Sequence, residues 1–265
     1  MNLRHRILLL LCFAPLASQA QSGEPARTDD APAGWSIGLG VAARAPIYAG
    51  ESSRILPFPL IGYEGERLYF QGGSIGYRVV NGDSFKLKAH ISASTNGINA
   101  DKFGRKELAQ RGINRNLLED RDFGADAGMT ASFQTDVGIF EADVRADITN
   151  TSDGYQASLD YSVPFPVGNA IIMPGVGVTA YSSKLANYYY GTLPDEVKRG
   201  VVNYKPGSAT VPHASVTAIV PFASKWTFIS GVTVEFLPNE ITDSPLVDKD
   251  TDVVPTLFLG ISRSF

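Results

Sequence analysis

Apolar and polar residues alternate along most of this chain, in segments of about ten residues that end in turns. From Gly124 to Phe133 the odd-numbered positions are apolar, and the even-numbered ones are polar or glycine. From Phe140 to Ile148 the even-numbered positions are apolar and the odd-numbered ones are charged. Because successive side chains of a β-strand point to opposite faces, each segment is predicted to be a strand with one apolar and one polar face.

The same pattern predicts strands along the rest of the chain. They are Gly34–Ala45, Ile55–Tyr63, Asp83–Ala93, Gly154–Val163, Ala170–Ser182, Val211–Val220, Trp226–Phe236 and Val253–Phe265. Pro57 and Pro59 make the second strand irregular, since proline is confined to strand edges, ends and bulges. The connections alternate between short turns and three long segments, at residues 95–122, 183–209 and 237–252. Outer-membrane barrels alternate short periplasmic turns with long outer loops in this way.

The number of strands depends on residues 67–80. A single strand there gives eleven, whereas a turn at Gly72-Gly73 gives two short strands and twelve in all. Bacterial single-chain barrels have even counts, so we expect twelve strands, with ten as the alternative. The segment Arg67–Gln71 is shorter than the roughly 9–11 residues that a full crossing needs.

The fold class predicted is therefore all-β, a closed antiparallel transmembrane β-barrel. The chain ends on Phe265, with Leu257, Leu259 and Ile261 on the same face, which resembles the carboxy-terminal signal of outer-membrane barrels. A soluble β-sandwich is the competing architecture, but its strands are typically only about 5–6 residues long. The predicted location is the outer membrane of a Gram-negative bacterium.

Residues 1–20 have the features of a secretory signal peptide, with basic Arg4 and Arg6, an apolar stretch, and a cleavage site after Ala20. Residues 21–33 are predicted to be a flexible periplasmic tail, and residues 34–265 the barrel. Cys12 is the only cysteine, so the mature chain would contain no disulfide. Loss of the leader lowers the basic count from 23 to 21 against 27 acidic residues, a net charge of −6, which does not favour nucleic-acid binding.

Two His-x-Ser pairs, His90/Ser92 and His213/Ser215, are the candidate chemistry on the polar faces of strands. Such a pair could activate a nucleophile in a lipid-modifying enzyme. However, both pairs are predicted to face the lumen, away from lipid, and no acid stands at an informative spacing. We therefore favour polar lumen residues and charged networks over catalysis. No catalytic residues, cofactor or metal site is predicted.

Two long connections carry distinctive residues that could recognise a partner. One contains Tyr188, Tyr189, Tyr190 and Gly191. The other contains Thr242, Asp243, Ser244, Pro245 and Asp248, with Leu246 and Val247 expected to be exposed. The alternative is a local role, with Asp and Ser stabilising turns and the tyrosines packing across the barrel mouth.

These two segments, together with Pro46-x-Tyr48-x-Gly50 and Pro57-x-Pro59, resemble the MipA/OmpV family of outer-membrane proteins. The resemblance covers nearly the whole mature chain. It implies a non-enzymatic scaffold that binds a murein transglycosylase and a murein synthase, in contact with outer-membrane lipid. A passive small-solute channel and a surface adhesin or antigen are the alternatives, and a lipid-modifying enzyme is less favoured.

Overall fold

The computed structural model describes residues 34–265, which form thirteen strands and four short α-helices. The strands are β1 (Gly34–Arg44), β2 (Arg54–Glu64), β3 (Leu68–Gln71), β4 (Ser74–Asn81), β5 (Phe85–Ser94), β6 (Gly124–Thr135), β7 (Gly138–Asp147), β8 (Tyr155–Ser162), β9 (Phe165–Val167), β10 (Ala170–Tyr181), β11 (Ala209–Phe222), β12 (Trp226–Phe236) and β13 (Val253–Ser264). The helices are α1 (Arg105–Ala109), α2 (Ser183–Tyr190), α3 (Pro194–Lys198) and α4 (Asn239–Thr242). The predicted leader, its cleavage at Ala20 and the predicted tail lie outside the described residues and stay predictions.

The strands form one antiparallel sheet that closes on itself through β1 and β13. β9 pairs only with the first residues of β10, and it continues the line of β8 beyond Val163 and Pro164. The wall of the barrel therefore has twelve strands, which confirms the predicted fold class and count. Nowhere in residues 34–265 is a helix both long and apolar enough to cross a membrane.

The twelve-strand count depends on the short hairpin of β3 and β4. It turns at Gly72 and Gly73, whose φ angles of 57° and 77° favour glycine. β3 has 4 residues and β4 has 8, so this hairpin does not cross the full height of the wall. Consequently β3 pairs with β2 only at Tyr63 and Glu64.

Apolar side chains cover the outside of the barrel. Leu39, Ile55 and Leu159 are 70%, 67% and 62% exposed, respectively, and most strands add others on the same face. A water-soluble protein rarely exposes so much contiguous apolar surface, whereas lipid tails cover it without a free-energy cost. The apolar face that the alternation predicts for each strand therefore points toward the membrane.

The two ends of the barrel differ. At the end with the short turns, Phe265 N–H donates to Trp35 O (2.9 Å), so the start of β1 and the end of β13 lie together. We call this the periplasmic end and the opposite one the outer end. Three aromatic pairs lie near the short turns: Phe85–Phe133, Phe140–Tyr161 and Phe222–Trp226. Aromatic rings at this level are typical of the interfacial girdle of outer-membrane barrels.

Candidate functional site

The outer end of the barrel is closed by a packed domain, which we call the cap. It consists of the connections at residues 45–53, 95–123, 182–208 and 237–252. Their apolar side chains form a buried core, in which Leu108, Ile241 and Leu246 have no solvent exposure. The alternation of connections predicts long outer loops here, but these segments contain all four helices. The cap therefore has a buried apolar core like that of a small water-soluble protein, although it lies above a membrane barrel.

The three consecutive tyrosines belong to helix α2. The helix begins after Ser182, whose Oγ accepts a hydrogen bond from Leu185 N (3.4 Å), and it ends at Gly191. Tyr189 and Tyr190 are buried beneath it. The cap also buries Tyr48, which stacks on Tyr190 at 6.2 Å and donates to Tyr189 O (3.1 Å). The Tyr188 hydroxyl accepts a hydrogen bond from Asp122 N (2.9 Å).

Burial changes the acidity of these phenols. It raises the pKa of Tyr190 to about 12. Burial also raises the pKa values of Tyr48 and Tyr189, and both are pushed well above the ordinary range for tyrosine. The three phenols are therefore neutral packing groups at physiological pH.

The second candidate segment packs against the first. Ser244 Oγ donates to Tyr190 O (2.5 Å), and Asp248 N donates to Ile47 O (2.8 Å). Leu246 and Val247 have no exposure, so the expectation that they are exposed is wrong: the cap core covers them. The structure thus brings the two predicted segments together. Their role in recognising a partner stays a prediction. Asp243 is exposed to solvent, and Thr242 and Pro245 are half-buried.

A buried ion pair crosses the cap, and no pattern in the sequence indicates it. Arg121 donates to Glu196 at 2.8 and 3.0 Å, and neither side chain has any solvent exposure. The Glu196 carboxylate also accepts from Leu193 N and Glu119 N, and Arg121 donates to Gly191 O. These bonds link two connections of the chain, at residues 95–123 and 182–208. The two partners are 75 residues apart, so no local pattern in the sequence could have paired them.

Inside the barrel, each His-x-Ser histidine faces an acid from another strand. His213 Nε2 lies 2.7 Å from Asp160 Oδ1, and His90 Nε2 lies 3.5 Å from Asp143 Oδ2. His213 and Asp160 both lie opposite Gly177 of the intervening strand β10. His90 lies opposite Gly128 of β6, whereas Asp143 lies opposite Thr130, whose hydroxyl donates to it (2.8 Å). The sequence showed no acid at an informative spacing because the acids are neighbours only in the closed sheet.

A histidine next to an acid resembles part of a catalytic triad, but the serines do not complete it. Ser92 Oγ is buried without a hydrogen-bond partner in the described structure. Other polar residues of the lumen pair with one another, as Arg44 does with Glu235 at 2.6 Å and Arg145 with Asp143 at 3.4 Å. The geometry is that of a lumen lined by ion pairs along its wall, which satisfies charges that could not be buried alone.

Between the cap and these ion pairs lies a cavity of about 960 Å³. Its lining combines lumen-facing residues such as Thr233 and Phe258 with the outer ends of β2 and β5. In residues 34–265 no group of His, Cys, Asp and Glu has the arrangement to hold a metal ion.

A capped barrel with an apolar outer surface defines the class of the protein, an integral outer-membrane β-barrel. Residues 37–265 match the family model described as MltA-interacting protein MipA. The chain belongs to this family, as the resemblance in its loop segments predicts, and it is an outer-membrane protein.

Curated relatives span nearly the whole chain. The putative outer membrane protein YiaT of Escherichia coli (strain K12) is 29% identical over 87% of this chain and 90% of its own. The MltA-interacting protein of the same organism is 28% identical over 87% and 90%. The outer membrane protein OmpV of Vibrio cholerae is 24% identical over 71% and 70%.

Proposed function

We propose that this protein is a non-enzymatic scaffold in the outer membrane that binds murein enzymes at its periplasmic end. The observation that carries the proposal is the closed interior. The cap covers the outer mouth, and ion pairs such as Arg44–Glu235 line the lumen. An interior built in this way does not favour rapid passage of solutes, so the two ends are the surfaces that remain for binding another protein.

The choice of the periplasmic end follows from the name of a relative. A protein 28% identical to this chain is the MltA-interacting protein, and murein lies in the periplasm. The periplasmic turns are short, and they expose Val137, Arg67 and Lys225 at the rim. A partner would contact this rim and the predicted tail at residues 21–33.

Binding to the barrel in lipid nanodiscs tests the proposal. We expect a murein transglycosylase and a murein synthase from the source organism to bind the immobilised barrel. The double variant R67E/K225E should weaken that binding, because it reverses two exposed charges at the rim. The matched control K249E reverses an exposed charge on the cap and should bind as the unmodified protein does. A correctly folded barrel that binds neither enzyme would exclude the scaffold role.

A further inference from the structure

The wall of the barrel is incomplete near its outer end, between β2 and β5. The hairpin of β3 and β4 lies between these strands, and it pairs with β2 only as far as Tyr63. β2 continues outward from there to Arg54, a distance of nine residues, along β1 on its other side. β2 and β5 are not hydrogen-bonded to each other. The result is a gap in the wall, bounded below by the turn at Gly72 and Gly73.

The sequence of β2 fits a strand that has no neighbour on one side. Pro57 and Pro59 lie in this stretch, and proline has no N–H to donate to a neighbouring strand. Both prolines and Ile55 are exposed on the lipid-facing side. Above the gap, Arg54 Nη1 donates to Gly97 O (3.1 Å), which links the outer end of β2 to the connection after β5.

The cavity beneath the cap reaches this gap. Ile55 and Leu56 from β2 line it on one side, and Ala93 and Ser94 from β5 line it on the other. Ile55 also belongs to the outer surface, with 67% of its area exposed. A residue that is both lipid-facing and cavity-lining marks the place where the cavity passes through the wall.

The lining of the cavity suits an uncharged ligand with an apolar part. Four basic and four acidic side chains line it, so their charges balance, and Arg44 and Glu235 already form a pair. Phe258 and Leu56 supply apolar contact, while Thr217, Thr233 and other threonines supply hydroxyl groups. Its volume of about 960 Å³ lies within the range of small-molecule sites, roughly 300–1,000 Å³.

We propose that the gap is a lateral entrance from the outer leaflet, and that the cavity binds an uncharged single-chain amphiphile that enters through it. The chain of the ligand would lie against Phe258 and Leu56, and its polar group would bond to the threonine hydroxyls. Entry from lipid accounts for a cavity that meets the hydrocarbon side while the cap covers the outer mouth. This site is separate from the periplasmic surface of the proposed scaffold.

Binding of a radiolabelled long-chain fatty alcohol to the barrel in nanodiscs tests the site. We expect a saturable component of one molecule per barrel above the partitioning into empty nanodiscs. T233W, which fills the cavity, should weaken saturable binding by about tenfold or more. V232W, its neighbour on the lipid-facing side of β12, should bind as the unmodified protein does. L56W serves as a second filling variant if T233W does not fold.

The entry route is tested separately by labelling introduced cysteines. The labelling is specific because the predicted mature chain has no cysteine of its own. A bulky maleimide attached to I55C, at the gap, should slow association of the alcohol. The same maleimide attached to L159C, where the wall is complete, should not. Equal association rates for the two would overturn the lateral entrance. Uptake that does not saturate, or that matches empty nanodiscs, would overturn the site itself. Neither result depends on whether murein enzymes bind.

Discussion

The cap and the wall bury their apolar residues in opposite ways. In the cap, Leu246 has no solvent exposure because other protein atoms surround it. In the wall, Leu159 is 62% exposed on the protein surface and is covered by lipid. Protein interiors are packed at fixed positions, whereas lipid tails rearrange around any side chain. The same residue type should therefore be intolerant of change in the cap and tolerant in the wall.

Polar groups show the same contrast. The cap encloses one fully buried ion pair, Arg121–Glu196, with every carboxylate oxygen bonded. The lumen instead spreads its charges over partly exposed pairs such as Arg44–Glu235. A buried charge that loses its partner has no water to replace it. The stability of the cap therefore depends strongly on this one pair.

The largest effect is expected from R121M. It leaves the Glu196 carboxylate buried without its partner, which costs about 3–5 kcal/mol. We expect the cap to open and its connections to become sensitive to protease, while the wall keeps the gel mobility of a folded barrel. K198A removes an exposed pair with Asp195 on the same helix and should leave the cap resistant. Equal protease resistance of R121M and the unmodified protein would contradict the role of the pair.

A matched pair of leucine substitutions compares the cap and the wall directly. L246A creates a cavity in the cap core and should cost about 2–5 kcal/mol, because the surrounding residues cannot fill the space. L159A leaves no cavity, since lipid fills the space, and should cost less. Denaturant midpoints in nanodiscs, together with protease resistance of the cap, measure both. If L159A destabilises the protein as much as L246A does, lipid does not fill the space that the lost side chain leaves in the wall.

Alkaline pH should also separate the two regions. The pKa of Tyr190 is raised from 10.0 to about 12 in the folded state, so the neutral form is favoured by folding. Its stabilising effect is complete below pH 10 and is lost as the pH rises from 10 through 12. We expect the cap to become sensitive to protease in that window, before the wall unfolds. Absorbance of tyrosinate, recorded alongside, would follow the ionisation.

The variant Y190F is the control for this transition. It keeps the ring but cannot ionise, so it removes one of the three buried phenols whose ionisation opposes folding above pH 10. Tyr48 and Tyr189, whose pKa values burial also raises, remain. The cap of Y190F should therefore resist a higher pH than the unmodified cap. An unchanged transition would mean that another group controls it.

The sequence predicts the wall much better than the cap, for a physical reason. Alternation is a local property, so the strands and the turn at Gly72 and Gly73 can be read from neighbouring residues. Two local signals in the cap were available: Ser182 before α2 and Pro194 at the start of α3, both common at helix starts. The pairing of Arg121 with Glu196 has no such signal, because only the folded chain brings them together.

The smallest effect, and the most local one, concerns the lumen. The hydrogen bond between His213 and Asp160 crosses β10 at Gly177. A Cβ atom there would lie 2.5 Å from His213 Nε2 and closer still to Asp160 Oδ1. G177A should therefore separate the pair and cost about 1–3 kcal/mol, by leaving two lumen groups without their partner. The temperature at which the barrel loses its folded gel mobility would measure this loss.

Gly175 provides the matched control on the same strand and face. Its nearest neighbours would lie 3.1 and 3.2 Å from an added Cβ, at Ser215 Oγ and Tyr161 O, which a small shift accommodates. We expect G175A to unfold close to the unmodified protein. The double variant G177A/H213A removes one of the two side chains that the new methyl group meets, and the pair is already lost in H213A. The loss of G177A/H213A relative to H213A should therefore be smaller than that of G177A relative to the unmodified protein. If the methyl group costs the same in both backgrounds, its effect lies in the backbone of β10 and the pairing across the glycine contributes nothing to the stability of the wall.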